Sequence, residues 1–286
     1  MTSCFFISDI HGRAKRYEKL FKAIADERPD IVFIGGDILP HGFTSLSPYD
    51  EHQSFIYDFL VPEFLKLRHA LGEKYPRVLL ILGNDDSRME EAAVEDAMTQ
   101  GVWEYIHNRR VDIGEYQFYG YVYVPPTPFL LKDWERYDAS RYVGPGCVSP
   151  EEGWRTVEVS EQEKKYSTIK EDIELLAAGA NMEHAVFLFH TPPHETHLDR
   201  AALDGKKIEH VPLDVHVGSI AVRRFIESRQ PLVTLHGHIH ESARLTGFWK
   251  DVIGRTQMFS AAHDGPELSL VRFSLENPTE ATRQLI

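Results

Sequence analysis

Apolar positions in the first hundred residues follow two alternating patterns. Short apolar runs predict buried strands at residues 5–8, 31–34 and 78–82, and a polar turn follows each of them. Segments of helical periodicity come after the turns, and the first has apolar side chains at i, i+3, i+4 and i+7: Tyr17, Leu20, Phe21 and Ile24. The next predicted helix, near residues 55–67, is interrupted by Pro62. Strand, turn and helix repeated in this order predict βαβ units and a largely parallel sheet.

The pattern changes in the middle of the chain. Residues 102–124 alternate between apolar and polar positions, which predicts antiparallel strands with no helix between them. Residues 125–165 carry prolines, glycines and scattered aromatics without a period, and we interpret them as an irregular excursion. A surface excursion or a subunit contact is the favoured role for it, and a lid of stacking aromatics is the alternative. Regular elements then resume without a linker, so we expect a single domain over residues 1–286.

Composition excludes several classes of protein. The 286 residues are 42% hydrophobic and 26% charged, which is typical of a globular protein with a full core. The net charge of −13 disfavours binding to extended nucleic acid or to an anionic membrane surface. No apolar stretch approaches the roughly 18 residues of a membrane span, and the N-terminus lacks the pattern of a signal peptide. With only two cysteines as well, we expect a cytoplasmic protein.

Each cluster of reactive side chains lies directly after a predicted strand. In open α/β sheets, ligands bind outside the carboxyl ends of the strands, so these clusters are expected to converge on one site. The set contains oxygen and imidazole donors and no thiolate, which suits divalent first-row metals, and it is too large for one ion. Two ions that share a carboxylate would accommodate it, as in two-metal phosphoester hydrolysis. The side chains are Asp9, His11, Asp37, Asn84, His190, His238 and His240.

Each cluster has a simpler explanation when it is taken alone. Asp9 could cap the following helix, and the segments around Asp37 and Asn84 have the composition of ordinary turns. A single histidine such as His190 is more often a hydrogen-bonded buried side chain than a metal ligand. Five clusters in a fixed order, each at the end of a strand, favour a common site over five coincidences.

The series Asp9-x-His11, Gly36-Asp37, Gly83-Asn84, His190 and Gly237-His238-x-His240 resembles the calcineurin-like metallophosphoesterases. The resemblance implies an α/β fold, a four-layer α/β/β/α sandwich whose first sheet is mixed and largely parallel. It further implies a dinuclear centre whose bridging hydroxide attacks phosphorus. One metal would be held by Asp9, His11 and His240, the other by Asn84, His190 and His238, and Asp37 would bridge them. Asn84 and Arg13 are the nearest candidates for contacts to the phosphate, and Asn84 is therefore also a candidate catalytic residue.

Asp85 departs from the pattern of this family. The family usually has Gly-Asn-His followed by an acidic residue, and that histidine protonates the leaving alkoxide, whereas here the position is an aspartate. An aspartate with an ordinary pKa is ionised at pH 7 and donates protons poorly. Burial could raise the pKa of Asp85, another residue could supply the proton, or the substrate could need little help. His194 is the nearest substitute, although a surface role is favoured for it, and His41 and His216 are weaker candidates.

Together these features predict a metal-dependent phosphoester hydrolase, with a phosphodiester of small or nucleotide type as the expected substrate. The expected cofactors are two divalent ions, and manganese, iron, zinc, cobalt or nickel suit the imidazoles better than magnesium. A phosphomonoesterase is the alternative within enzymes. A metal-binding scaffold for protein interactions that lacks catalysis is the alternative outside them, but all seven ligand positions are present. We expect no extended nucleic acid and no membrane as partners.

Overall fold

The apolar runs become the inner strands of two six-stranded sheets. The structure is a computed structural model, and it describes residues 1–40 and 54–286. Over these residues the strands are β1 (Ser3–Ile7), β2 (Ile31–Gly35), β3 (Arg77–Ile81), β4 (Glu104–Tyr105), β5 (Arg110–Ile113), β6 (Tyr116–Tyr121), β7 (Ala185–Phe189), β8 (Lys207–Ile208), β9 (Val211–Pro212), β10 (Val233–His236), β11 (Lys250–Ile253), β12 (Thr256–Ser260), β13 (Ser269–Ser274) and β14 (Thr282–Leu285).

Seven α-helices lie in the same described part of the chain. They are α1 (Ala14–Glu27), α2 (Val61–Leu71), α3 (Glu91–Met98), α4 (Glu161–Tyr166), α5 (Ile169–Leu176), α6 (Ile220–Arg229) and α7 (Ser242–Thr246). Pro62 lies in the first turn of α2, but the chain is already helical before it, because Leu60 and Val61 have helical dihedral angles, so the helix continues through Pro62 and changes from π-helical to α-helical next to it. One π-helical turn, Ile56–Leu60, precedes it. None of these helices is both long and apolar enough to cross a membrane.

The strand order groups the parallel strands next to one another in both sheets. The first sheet has the order β14-β13-β1-β2-β3-β4, in which β1 to β4 are parallel neighbours and the β13 and β14 edge is antiparallel. The second has the order β11-β12-β10-β7-β6-β5, with β6, β7, β10 and β12 parallel and an antiparallel strand at each edge. The predicted α/β fold with a mixed, largely parallel first sheet is confirmed, and the antiparallel pair β5–β6 lies where residues 102–124 predicted it.

Aromatic side chains join the sheets to each other and to the helices. Between the sheets, the ring of Phe33 on β2 lies 5.6 Å from that of Phe118 on β6. On the outer side of the second sheet, Phe225 of α6 contacts Phe187 of β7 with ring centroids 4.9 Å apart. One continuous set of buried apolar residues extends through both sheets and these helices. The two sheets are thereby held together, with their parallel strands ending at the site described below.

Part of the irregular excursion, residues 125–165, is buried against the rest of the molecule. It contains no strand, and a short helix, α4, begins near its end. Trp134 and Lys132 are fully buried, and the Lys132 Nζ atom lies 2.6 Å from Glu135 Oε2. Several exposed aromatics, including Phe129, Tyr142 and Trp154, remain on its outer side. Its buried side chains contact the loop after β3, and this contact bears on the site.

Candidate metal centre

The predicted ligands come from loops that follow five parallel strands. Asp9 follows β1, Asp37 follows β2, Asn84 follows β3, His190 follows β7, and His238 and His240 follow β10. Backbone hydrogen bonds tie neighbouring loops together: the Asp9 N–H donates to Gly36 O at 2.9 Å, and the Gly237 N–H donates to His190 O at 2.9 Å. The His238 N–H donates across the two sheets to Asp9 Oδ1 at 3.0 Å. The structure thus brings these strand ends to one place, as the sequence predicts.

Four of the predicted ligands converge tightly. One ligand atom from each of Asp9, His11, Asp37 and His240 lies within 4.8 Å of all the others. The Nε2 atom of His240 is 3.2 Å from Asp9 Oδ1 and 3.1 Å from His11 Nε2. Imidazole nitrogens and carboxylate oxygens that face one common point are the arrangement that a divalent ion requires.

A second group of donor atoms lies next to Asp37. The His190 Nδ1–H donates to Gly35 O at 2.8 Å, which directs Nε2 toward Asn84 Oδ1 at 3.0 Å and Asp37 Oδ2 at 3.3 Å. The Asn84 amide nitrogen donates to Asp85 Oδ1 at 3.0 Å, so its oxygen is the atom that faces His190. The ring of His238 lies 5.2 Å from that of His190. This chemistry fits a second ion beside the first.

Burial makes the charges of the site interdependent. Asp9 and Asp37 have 0% and 1% of their surface exposed. Burial alone would raise the pKa of Asp9, but the hydrogen bond and charge of His240 outweigh it and lower the pKa to about 2. Burial likewise opposes the shift of Asp37, whose pKa the His190 imidazolium holds far below its usual range. In the absence of metal, protonated imidazoles thus supply the positive charge that these carboxylates need.

The pKa values of the histidines shift in two directions, depending on whether a carboxylate faces the ring. Burial would lower the pKa of His190, but Asp37 outweighs it and raises that pKa to about 10. Asp9 outweighs the burial of His240 and raises its pKa to about 9. Burial and the charge of His190 instead lower the pKa of His238 to about 3, so this imidazole is neutral, the form in which histidine binds metals.

Backbone strain coincides with the predicted ligands. Asp9, His11, Asp37 and His238 adopt the left-handed region, with φ values of 56°, 51°, 51° and 71°. Residues other than glycine rarely adopt it, and such strain concentrates where function requires a particular orientation. Asp9 does not cap α1, because the cap position is Arg13 and no side chain caps the helix there. The alternative of a simple helix cap at Asp9 is therefore excluded.

Two buried titratable residues support the site, and neither role was predicted from the sequence. The Asp86 carboxyl group accepts hydrogen bonds from the N–H groups of Ile38 at 3.1 Å, Leu39 at 2.8 Å and Gly83 at 2.9 Å, which joins the loops of Asp37 and Asn84. The Arg16 guanidinium donates to the Asp9 carbonyl at 2.6 Å. A charged residue beside the apolar stripe of α1 was the available signal for Arg16.

Asp85 lies inside the site, although about a third of its side chain is exposed. Its N–H donates to Asp37 Oδ1 at 2.9 Å, and its Oδ2 lies 3.8 Å from His11 Nδ1. Burial and the negative charge of Asp37 raise the pKa of Asp85 to about 7. A raised pKa was the first of the three explanations for the missing histidine, and the role of Asp85 in proton transfer stays a prediction.

The described hydrogen bonds of the other predicted residues are with groups outside this cluster, and one of these residues lies outside the description. His194 Nε2 is 3.3 Å from Asp214 Oδ2, and His216 Nδ1 is 2.8 Å from Asp199 Oδ1. The exposed Arg13 donates to Gly265 O at 3.3 Å. His41 lies outside the described residues. The described contacts of Arg13 and His194 do not include the clustered ligands, so their proposed roles in binding and proton transfer stay predictions.

Comparisons with known proteins agree with this geometry. The family model for calcineurin-like phosphoesterases matches residues 3–242, and the chain belongs to this family. Protein TT1561 of Thermus thermophilus aligns at 14% identity with a TM-score of 0.55, over 99% of this chain and 98% of its own. A dimetal phosphatase from Danio rerio aligns at 13% identity with a TM-score of 0.52, over 99% and 98%. These two similarities show a shared fold. A search of curated proteins finds no match.

The shifted pKa values predict how metal-free protein responds to pH. His190 and His240 have pKa values raised above that of an unfolded histidine, so their stabilisation is complete below about pH 6.5 and is lost as pH rises through 9 to 10. The raised pKa of Asp85 acts in the same direction between about pH 4 and 7, because the unfolded state releases that proton first. With chelator present, denaturant unfolding should give a free energy lower at pH 9 than at pH 6 by more than about 1 kcal/mol.

His240→Gln removes one of these raised pKa values and provides the comparison. The pH dependence of its unfolding free energy between pH 6 and 9 should be smaller than that of the unsubstituted protein. A free energy of unfolding that rises over this interval would contradict the electrostatic description of the site.

Proposed function

We propose that this chain is a metal-dependent phosphodiesterase that hydrolyses small or nucleotide-type phosphodiesters at a dinuclear centre. Membership of the calcineurin-like phosphoesterases supports phosphoester hydrolysis as the reaction class. The observation that carries the proposal is the position of Asp37, whose buried carboxylate faces both the group with Asp9, His11 and His240 and the His190 Nε2 atom.

The ligands divide between two ions in this proposal. Asp9, His11 and His240 hold one ion, and Asn84, His190 and His238 hold the other, with Asp37 shared. Four imidazoles favour borderline ions, so manganese, iron, zinc, cobalt or nickel are proposed ahead of magnesium. When bound, two such ions make a nucleophile available from water near neutral pH and neutralise charge on the phosphoryl oxygens. The protein contributes a fixed geometry, because the ligating loops are tied together through their backbones.

Asp85 is the proposed proton donor to the leaving oxygen. Its carboxyl group is partly exposed next to the clustered ligands, and its pKa is raised to about 7, close to the value that suits a general acid at neutral pH. The Asn84 amide, which donates to Asp85 Oδ1, orients this carboxyl group. His194 is the alternative donor, although its described polar contacts are with residues outside the cluster.

The preference for diesters follows from charge. A monoester dianion brings two negative charges to a site that holds Asp9, Asp37 and a partly ionised Asp85, whereas a diester brings one. The net charge of −13 over the chain opposes large polyanions such as extended nucleic acid, which favours small substrates. A diester also has a second substituent whose binding can orient the reacting group.

Paired aryl phosphates test the proposed function. With excess manganese, we expect a bis-aryl phosphate to be cleaved with a higher kcat/KM than the matching mono-aryl phosphate, because the monoester carries the extra charge. Asp85→His should shift the ratio toward the monoester, since it replaces a carboxylate by a neutral or cationic group. A tenfold or greater preference of the unsubstituted protein for the monoester would contradict the diester assignment.

Leaving groups of different acidity test the proton donor. Asp85→Asn keeps the shape of the side chain but removes its proton, so diesters with alkyl leaving groups should be hydrolysed roughly 10²- to 10⁴-fold more slowly. Activated aryl esters should lose far less, because phenolates depart without a proton. His194→Ala is the matched comparison. If it shows this selective loss and Asp85→Asn slows both ester types equally, His194 is the donor instead.

A further inference from the structure

A buried hydrogen bond connects the irregular excursion to the loop that carries Asn84 and Asp85. The Trp134 indole Nε1–H donates to the backbone carbonyl of Asp86 at 2.8 Å, and Trp134 is fully buried. We propose that Trp134 is a positioning residue, which holds the loop of residues 82–90 in the arrangement that the metal ligand Asn84 and the proton donor Asp85 require. This inference rests on the proposed function for the roles of Asn84 and Asp85.

Asp86 is the point at which this hydrogen bond has most effect. Its backbone follows Asp85 directly, and its carboxyl group accepts hydrogen bonds from the N–H groups of Gly83, Ile38 and Leu39. A displacement of Asp86 would therefore change both the loop after β3 and the loop that carries Asp37. Trp134 thus contacts the residue that joins the loop of Asp37 to the loop of Asn84 and Asp85.

The excursion contacts the far end of the same loop as well. The Arg88 N–H donates to Asp133 Oδ2 at 2.8 Å, and the Thr156 N–H donates to Asp133 Oδ1 at 2.8 Å. The Met89 N–H donates to the Thr156 hydroxyl oxygen at 3.1 Å. Asp86, Arg88 and Met89 are consequently fixed by one continuous piece of the excursion, residues 133–156.

A buried ion pair fixes the excursion itself next to Trp134. The Lys132 and Glu135 side chains are 0% and 1% exposed, and Lys132 Nζ lies 2.6 Å from Glu135 Oε2. The Thr127 N–H donates to the same carboxylate at 2.8 Å, and Val124 N–H donates to the Trp134 carbonyl at 2.9 Å. A buried pair tolerates few alternative geometries, because separating its members leaves an uncompensated charge. The ion pair and these hydrogen bonds therefore fix the position of the backbone that carries the Trp134 indole.

Loss of the indole N–H would affect the reaction in a distinctive way. The buried Asp86 carbonyl would lose its described donor, and an unsatisfied buried carbonyl favours rearrangement of the loop. Asn84 would then bind its metal ion less well, and Asp85 would be misaligned for proton transfer. Partners that orient metal ligands typically change metal affinity or activity by roughly 10- to 100-fold when removed. We expect kcat to fall while KM changes little, since Trp134 is fully buried and has no exposed surface with which to contact a substrate.

Trp134→Phe tests this role, and Trp103→Phe is the matched control. Trp103 is also buried, and its Nε1–H donates to the Val94 carbonyl at 3.0 Å, but that carbonyl belongs to α3 and not to the loop. In metal-free protein, amide hydrogen exchange of residues 83–90 should accelerate by about tenfold in Trp134→Phe and remain unchanged in Trp103→Phe. Manganese binding to the weaker site and kcat should each fall by about tenfold in Trp134→Phe alone.

Equal changes in loop exchange for both variants would overturn the proposal, because they would assign Trp134 only a general role in packing. If Trp134→Phe does not fold, the same loop exchange, manganese binding and kcat are measured in Asp133→Asn, which weakens the contact between the excursion and the Arg88 N–H. An unsubstituted protein that hydrolyses no phosphoester, with faster loop exchange in Trp134→Phe, would overturn the proposed function and support the positioning role. An active unsubstituted protein with unchanged loop exchange in Trp134→Phe would overturn the positioning role alone.

Discussion

Two carboxylates with almost no exposed surface, Asp9 and Asp37, lie close together, and the site around them depends on compensating their charge. A buried carboxylate is unfavourable unless cations or hydrogen-bond donors face it. Imidazoles from the surrounding loops face these two, and the carboxylates raise the pKa values of His190 and His240 so that both carry positive charge near neutral pH. Divalent ions would supply that charge without requiring protons on the imidazoles.

The fold satisfies this constraint through the ends of its parallel strands. The central strands of both sheets end at the same edge, so short loops deliver each side chain without a long excursion. Asp9 accepts a hydrogen bond from the His238 backbone of the other sheet, which fixes the two sheets relative to each other at the point where the ligands meet. Backbone strain at the ligands is tolerated because the surrounding sheets determine their positions.

Much of this arrangement was predictable from the sequence. Apolar runs identify the central strands, and the reactive clusters follow those strands because the carboxyl ends coincide in a parallel sheet. The polar edge strands β11 and β14 lack the apolar pattern, so they were not predictable in the same way. The roles of Asp86 and Trp134 depend on contacts with distant backbone carbonyl or N–H groups, which no local pattern indicates. The raised pKa of Asp85 could not be predicted from the sequence, because it depends on the burial of the side chain and on the nearby charge of Asp37.

Anomalous diffraction from crystals of the manganese-loaded protein tests the central claim most directly. Two ions that share Asp37 should appear as two anomalous peaks about 3.5–4 Å apart, one on each side of its carboxylate. One peak should lie next to Asp9, His11 and His240, and the other next to Asn84, His190 and His238. A single peak at saturating manganese, or two peaks that do not flank Asp37, would contradict the shared-carboxylate centre on which the proposed function rests.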